Sequence, residues 1–212
     1  MRNPVIIFGA NNLGRAARDI FESNEVVIYG FLDDDASLHG TELDEISVLG
    51  STDDDGYLKL IGKKCEAFVA VDDNKYRKSI VKMLNERRKV MPVNAIHRAA
   101  VIAETAYIGH GNFVNMGVKV ADNAKVSNHC ILNTNAVIDY GAEIGDFVQV
   151  GAGSVVNTGV VVGDEVFIGS GATVVSGVKI GKGARIGAGS VVIADVPAGK
   201  TVFGNPAQIV EA

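Results

Sequence analysis

An aliphatic residue returns every six positions from Ile96 to Val192 without a miss, passing through Ile102, Ile108, Val114 and so on to Ile186. Four residues after each comes a small or slim side chain, as at Ala106, Ala124, Cys130, Ala136, Ser154 and Ala172. The residue directly after the aliphatic one is often glycine: Gly109, Gly145, Gly151, Gly163, Gly169. A period of six is neither that of a helix nor that of a strand, so one supersecondary unit is repeated. The hexad suits a short strand with an inward branched residue, then a tight corner at which these glycines are expected to supply a positive φ. Three hexads close one triangular coil, residues eighteen apart stack, and the array is a parallel β-helix of about five coils, each rising roughly 4.8 Å. One hexad cannot bury its own apolar face, so neighbouring coils must cover one another.

The first ninety residues follow other rules. Val5 to Phe8 read as a short buried strand, Gly9 to Gly14 as a turn, and Leu13, Ala16, Ala17, Ile20 and Phe21 fall at helical spacing. A second strand, Val26 to Leu32, ends in Asp33-Asp34-Asp35, where a Rossmann-like domain places an acid facing a ribose. A third, Ala67 to Val71, leads through Asp72 into a helix that buries Ile80, Val81, Met83 and Leu84. Arg87, Arg88 and Lys89 are expected to complement the dipole at its solvated end. Asp53 to Asp55 read as turn formers. Pro92 marks the junction, giving an α/β domain over 1–92 and an all-β β-helix over 93–212.

With 212 residues and 47% hydrophobic content, two small cores are affordable. A net charge of -5 argues against nucleic acid as a partner. No run of about eighteen apolar residues suggests a membrane span, and no leader pattern opens the chain. Cys65 and Cys130 are far apart; Cys130 fills a small-residue slot and reads as a packed, reduced thiol in the cytoplasm.

The glycine loop departs from G-x-G-x-x-G because the middle glycine is Asn11, and Arg15-Ala16 rules out a P-loop. What remains is either a helix N-terminus whose free amides take an anion or a purely structural turn.

Taken together, a glycine turn after the first strand, a second strand ending Gly30-Phe31-Leu32-Asp33-Asp34, and hexads closing in Val202-Phe203-Gly204-Asn205-Pro206-Ala207 resemble the bacterial sugar O-/N-acyltransferases. That family includes sialic acid O-acetyltransferases and UDP-amino-sugar N-acetyltransferases. The resemblance implies a left-handed β-helix, a homotrimer, acetyl-CoA or another acyl-CoA between neighbouring β-helices, and a nucleotide sugar on the first domain.

Carried over by position, the family's active segment falls on residues 133–149. Asn133, Thr134 and Asp139 match it, whereas Tyr140 stands in place of the general-base histidine and Gln149 in place of a second histidine. The resemblance places the carrier against Gly151, Gly153, Thr158, Ser170 and Ala188, and the substrate against Gly9, Asn11, Asn12, Asp33, Asp34 and Asp72, the last replacing a glycine.

Tyrosine titrates near 10, so using it as a base at pH 7 costs roughly 4 kcal/mol. Tyr140 is thus better suited to orienting an acceptor or donating to an oxyanion. His129 and His110 share one corner; His129 reads either as an exposed residue without a role or, across a trimer interface, as the replacement base. No metal is expected, because the three-histidine pattern of β-helical zinc enzymes is missing. His39 and His97 are given no role. The leading reading is an acyl-CoA-dependent sugar transferase of surface-glycan synthesis. The alternatives are a catalytically idle member acting as a binding or scaffold protein, and a β-helical enzyme with other chemistry.

Overall fold

The structure is a computed structural model describing residues 3–210. It divides into two compact units, Met1–Arg98 and Ala99–Ala212. The division falls beyond Pro92 because residues after it remain tied to the first unit: the Val93 amide donates to the Ala67 carbonyl at 2.9 Å and the Asn24 side chain to the Ile96 carbonyl at 2.8 Å.

In the first unit, β1 (Val5–Phe8) is followed by α1 (Asn12–Ser23), β2 (Ile28–Leu32), β3 (Glu42–Leu43), β4 (Ile46–Gly50), α2 (Asp55–Leu58), β5 (Glu66–Val69) and α3 (Asn74–Arg88). The sheet runs β3-β4-β2-β1-β5 and is parallel except for the β3–β4 hairpin. All four residues of β1 are buried, as a central strand covered on both faces requires. Leu13, Ala17, Ile20 and Phe21 form the buried stripe of α1, and Phe21 meets Phe68 edge to face at 5.5 Å. The hairpin turns through Asp44 and Glu45, both at positive φ without a glycine, and so carried no strong turn signal.

The second unit is the expected coil of hexads. Strands eighteen residues apart pair in parallel, for example Val137 with Val155, Glu143 with Val161 and Gln149 with Phe167. Inward branched residues such as Val150, Ile168 and Ile138 are completely buried, as are the small residues Ala136, Ala142 and Ser154. Ile102 and Ile108 are only half-buried, because the first coil has no coil before it. Thr201–Gly204 and Ala207–Val210 close the unit as an antiparallel hairpin around a cis Asn205–Pro206 bond. Cys130 is a buried free thiol whose Sγ donates to the Gly145 carbonyl at 3.1 Å.

The corner glycines do not divide as expected. Positive φ occurs three residues after the aliphatic one, at every sixth residue from Gly111 to Gly189, and Asn123, His129, Asn135, Phe147 and Glu165 occupy five of those positions. The glycines directly after the aliphatic residue serve another end. A Cβ on Gly151 would lie 2.4 Å from the Ser170 amide nitrogen, inside the next coil's backbone. Those glycines permit coil-to-coil contact; the left-handed turn is made elsewhere.

Candidate active site

The hexads carry the candidate residues to three separate corners, and within one chain they do not converge on a single point. Asn133 stacks below Gly151, Gly169 and Gly187 on the first corner, with Gly153, Ser170 and Ala188 in the same turns and Gln149 on the strand leading in. Here the Asn133 side chain donates to the Val150 carbonyl at 3.3 Å. A Cβ on Gly187 would lie 2.1 Å from the Phe203 ring, so the closing hairpin packs on the last turn of this column. The result is a stripe of small residues bordered by the polar Asn133 and Gln149.

The second corner holds Asp139, Tyr140 and, one coil further on, Thr158. The Thr158 hydroxyl donates to Asp139 Oδ2 at 2.7 Å, and the Gly159 amide to the Tyr140 carbonyl at 3.3 Å. Thr158, expected beside the carrier, thus stands in a column of its own with Asp139. Tyr140 is 58% exposed, so its phenol stands clear of the coil.

The third corner holds the histidines. The His129 amide donates to the His110 carbonyl at 2.8 Å, so the two share a corner. Only 4% of His129 is exposed, which overturns the expectation of an exposed imidazole. Its ring lies over Gly111, where a Cβ would sit 2.2 Å from Nδ1, and its other side meets Phe147 with ring centroids 4.9 Å apart. A left-handed backbone at both residues turns the rings into this stack.

In the first unit, the loop after β1 is shaped by its own side chains. Asn11 caps α1, its Oδ1 accepting from the Leu13 and Gly14 amides at 2.9 and 3.0 Å while its Nδ2 donates to the Ala70 carbonyl at 3.0 Å. Asp33 Oδ2 accepts from the Ala10 amide at 2.8 Å, and its Oδ1 from the Asp35 amide at 2.9 Å. The Ala10, Leu13 and Gly14 amides are therefore taken within the loop, and Asp33 fastens it to the end of β2. The glycines are sterically required: a Cβ on Gly9 would lie 2.4 Å from the Ala70 oxygen, and one on Gly14 2.1 Å from the Gly9 oxygen.

Asp34 opens onto a cavity of about 420 Å³ lined by Thr52, Asp53, Tyr76, Ser79 and Met83. It accepts from the Thr52 amide and hydroxyl, both at 2.8 Å, and from the Tyr76 phenol. Burial pushes the Asp34 carboxyl up, but the Tyr76 and Thr52 bonds outweigh it and hold the group below the usual carboxylate range. Burial and the bond to Asp34 push Tyr76 up to about 12.

Sequence reasoning missed Arg77. It is 1% exposed, and its guanidinium donates to the Val71 and Asp72 carbonyls and the Asn74 side chain, holding the turn that carries Asp72. The available signal was spacing, because Arg77 lies on the α3 face shared by Ile80, Val81 and Leu84. His39, given no role, has Nε2 2.7 Å from the Asp33 carbonyl, and His97 is buried. The arginines at the end of α3 are not merely solvated: Arg87 pairs with Asp55, and Arg88 donates to the Ile61 and Lys59 carbonyls. Asp54 caps α2, as a turn former would. Among the described residues no group of three or more His, Cys, Asp or Glu could hold a metal ion, and no helix is long and apolar enough to cross a membrane.

Residues 4–84 match the PglD N-terminal domain, and residues 141–176 and 159–194 match the bacterial transferase hexapeptide. No curated protein sequence matches the chain. A perosamine N-acetyltransferase variant from Caulobacter crescentus, crystallised with CoA and GDP-perosamine, is 28% identical, with a TM-score of 0.91 over 100% of this chain and 99% of that one. The acetyltransferase domain of PglB from Neisseria gonorrhoeae, crystallised with acetyl coenzyme A, is 25% identical, with a TM-score of 0.88 over 99% and 100%. WeeI from Acinetobacter baumannii is 26% identical, with a TM-score of 0.86 over 98% and 99%.

Fold and matches together define a class, a PglD-type α/β domain joined to a left-handed parallel β-helix of transferase hexapeptides. Within that class, the chain is similar over nearly its whole length to sugar N-acetyltransferases of 28% identity and to the PglB acetyltransferase domain of 26% identity.

Proposed function

We propose that the protein is an acetyltransferase that moves an acetyl group from acetyl-CoA to an amino group of a nucleotide-linked sugar. The observation that carries this is end-to-end likeness to a perosamine N-acetyltransferase crystallised with CoA and GDP-perosamine, at 28% identity and a TM-score of 0.91. The idle-scaffold alternative is not favoured, since the likeness to such enzymes spans both units.

In this reading the stripe of Gly151, Gly153, Ser170 and Ala188 takes the carrier. Backbone there is uncovered by side chains, so a pantetheine arm can lie along it. Asn133, Asp139, Tyr140 and Gln149 flank the thioester, and Asp33, Asp34 and Asp72 face the nucleotide sugar, with Gly9, Asn11 and Asn12 shaping the loop beside them. The Asp139–Tyr140 corner carries no histidine of its own chain, which supports an amine acceptor. A neutral amine attacks unaided and becomes acidic only once bonded, whereas a hydroxyl must lose its proton as it attacks and needs a base with pKa near 7.

The separation of the candidate residues onto three corners supports a homotrimer, in which one subunit's corner meets another's face. Val137, Val155, Thr173 and Val191 are only half-buried along one flat face and supply an apolar surface for a second copy. Acetyl-CoA and nucleotide sugars as substrates support a cytoplasmic location.

The test is release of CoA thiol from acetyl-CoA by the purified protein in the presence of nucleotide-linked amino sugars, with mass spectrometry of the product. Turnover with one of them is expected. Failure across guanosine-, uridine- and thymidine-linked amino sugars would reject the assignment.

A further inference from the structure

We propose that Thr158 is a positioning residue that holds Asp139 to receive the proton released during acyl transfer; the proposal rests on the acetyltransferase reading above. Asp139 and Thr158 belong to successive turns of one corner. Pairing of Val137 with Val155 before the corner and of Glu143 with Val161 after it locks those turns in register. The Asp139 amide donates to the Val156 carbonyl at 2.9 Å, which fixes the backbone beneath the carboxylate. The Thr158 hydroxyl, at 2.7 Å, then fixes Oδ2. Oδ1 accepts no hydrogen bond among the described residues, and its neighbour in sequence, Tyr140, projects outward on the same corner.

The chemistry asks for such a group. The amine lone pair forms a C–N bond to the thioester carbonyl carbon, the C–S bond breaks, and CoA leaves as its thiolate. The nitrogen must shed one proton. A carboxylate oxygen has a lone pair to take it on Oδ1, afterwards passing it to the thiolate or to water, whereas a phenol at Tyr140 already carries its own proton. His129, stacked between Gly111 and Phe147 on a different corner, leaves its own chain's Asp139 without an imidazole partner on that corner. The Thr158 hydroxyl supplies what a carboxylate on an open corner otherwise lacks, a single orientation.

Thr158→Val removes the hydroxyl while keeping the side chain's shape. It should lower kcat about tenfold or more with KM for both substrates within about twofold, Thr158→Ser should restore kcat to within about threefold, and Asp139→Asn should lower kcat by about 10²-fold or more. In the Asp139→Asn background, Thr158→Val should change kcat by less than about twofold, because the two act as a unit. Full kcat in Thr158→Val, a loss confined to KM, no rescue by serine, or an additive double variant would each overturn the proposal. If Thr158→Val does not fold, the Thr158→Ser and Asp139→Asn variants decide it: a serine variant as inactive as the asparagine one overturns it. Turnover by the unaltered protein with any of these results defeats only the role of Thr158; no turnover with any amino sugar defeats the transferase reading and this proposal with it.

Discussion

The β-helix and the α/β domain meet the same demand, close approach of backbone to backbone, in different ways. In the β-helix the demand recurs at corner after corner, and glycines such as Gly145, Gly151, Gly163 and Gly169 meet it by leaving out a Cβ that would strike the next coil. In the α/β domain it is tightest around Gly9 and Gly14, and polar side chains complete the structure: Asn11 ties α1 to Ala70, and Asp33 ties the loop to β2. A repeat solves a steric problem by composition, whereas a single loop solves it by specific hydrogen bonds.

The sharpest way to break this comparison is substitution within one turn of the β-helix. Gly151→Ala forces a Cβ to within 2.4 Å of backbone and is expected to cost about 3 kcal/mol, as overpacking does, with loss of acetyl-CoA binding. Gly153→Ala, two residues away, meets nothing within 4 Å but must adopt a φ of +66, and is expected to cost about 1 kcal/mol. Urea denaturation of both variants checks the order. Equal losses would mean that the two glycines are not different in kind.

The α/β domain should respond to a cap rather than to a clash. Asn11→Ala removes both amide contacts at the start of α1 and the donor to Ala70, with an expected loss of about 1 kcal/mol. Asn11→Asp keeps the acceptor but not the donor and should lie between the two. Thermal melting distinguishes them; a neutral Asn11→Ala would mean that the loop holds itself without its side chains.

A smaller effect concerns Tyr76. Its pKa is raised from an ordinary value of 10.0 to about 12, with burial the first cause and the Asp34 bond the second. A raised pKa for a group that is neutral when protonated means stability fully present below pH 10 and lost as pH rises toward 12. Asp34 behaves in the opposite sense: its lowered pKa gives stability present above the ordinary carboxylate range and lost as pH falls through its folded value. Tyr76→Phe should therefore flatten the alkaline fall in stability of the first unit. It should also remove one late step from the ultraviolet titration of the tyrosines. Loss of an ordinary step near pH 10, with the late step retained, would show that the phenol is not held by Asp34.

The same contrast explains what could be read from the chain. The coil, its period and its inward ladder were legible because each hexad repeats one physical solution, so that even Cys130 was recognisable as a small core residue. Which glycine makes the left-handed turn was not legible, since Asn135, Phe147 and Glu165 occupy that position too and conceal its period. The strands and helices of the α/β domain were visible from β1 and from the apolar stripe of α1. Asn11 as a cap, Asp33 as a tether and Arg77 as a buried clamp depend on partners as far apart as Asn11 and Ala70, and no local pattern announces those. The candidate site suffered most. The burial of His129 was hidden because a hexad position alone does not reveal that Phe147 covers it, and the bond from Thr158 to Asp139 was hidden because it joins successive coils.

The central claim is acetyl transfer to an amine by a corner that offers Asp139, Thr158 and Tyr140 but no imidazole. Its most direct test is a paired turnover measurement with acetyl-CoA and two nucleotide-linked sugars that differ only in carrying an amino or a hydroxyl group at one carbon. The account predicts CoA thiol release and an N-acetylated product with the amine, and no release above the uncatalysed rate with the alcohol. Equal turnover of the two, or turnover of the alcohol alone, would contradict it.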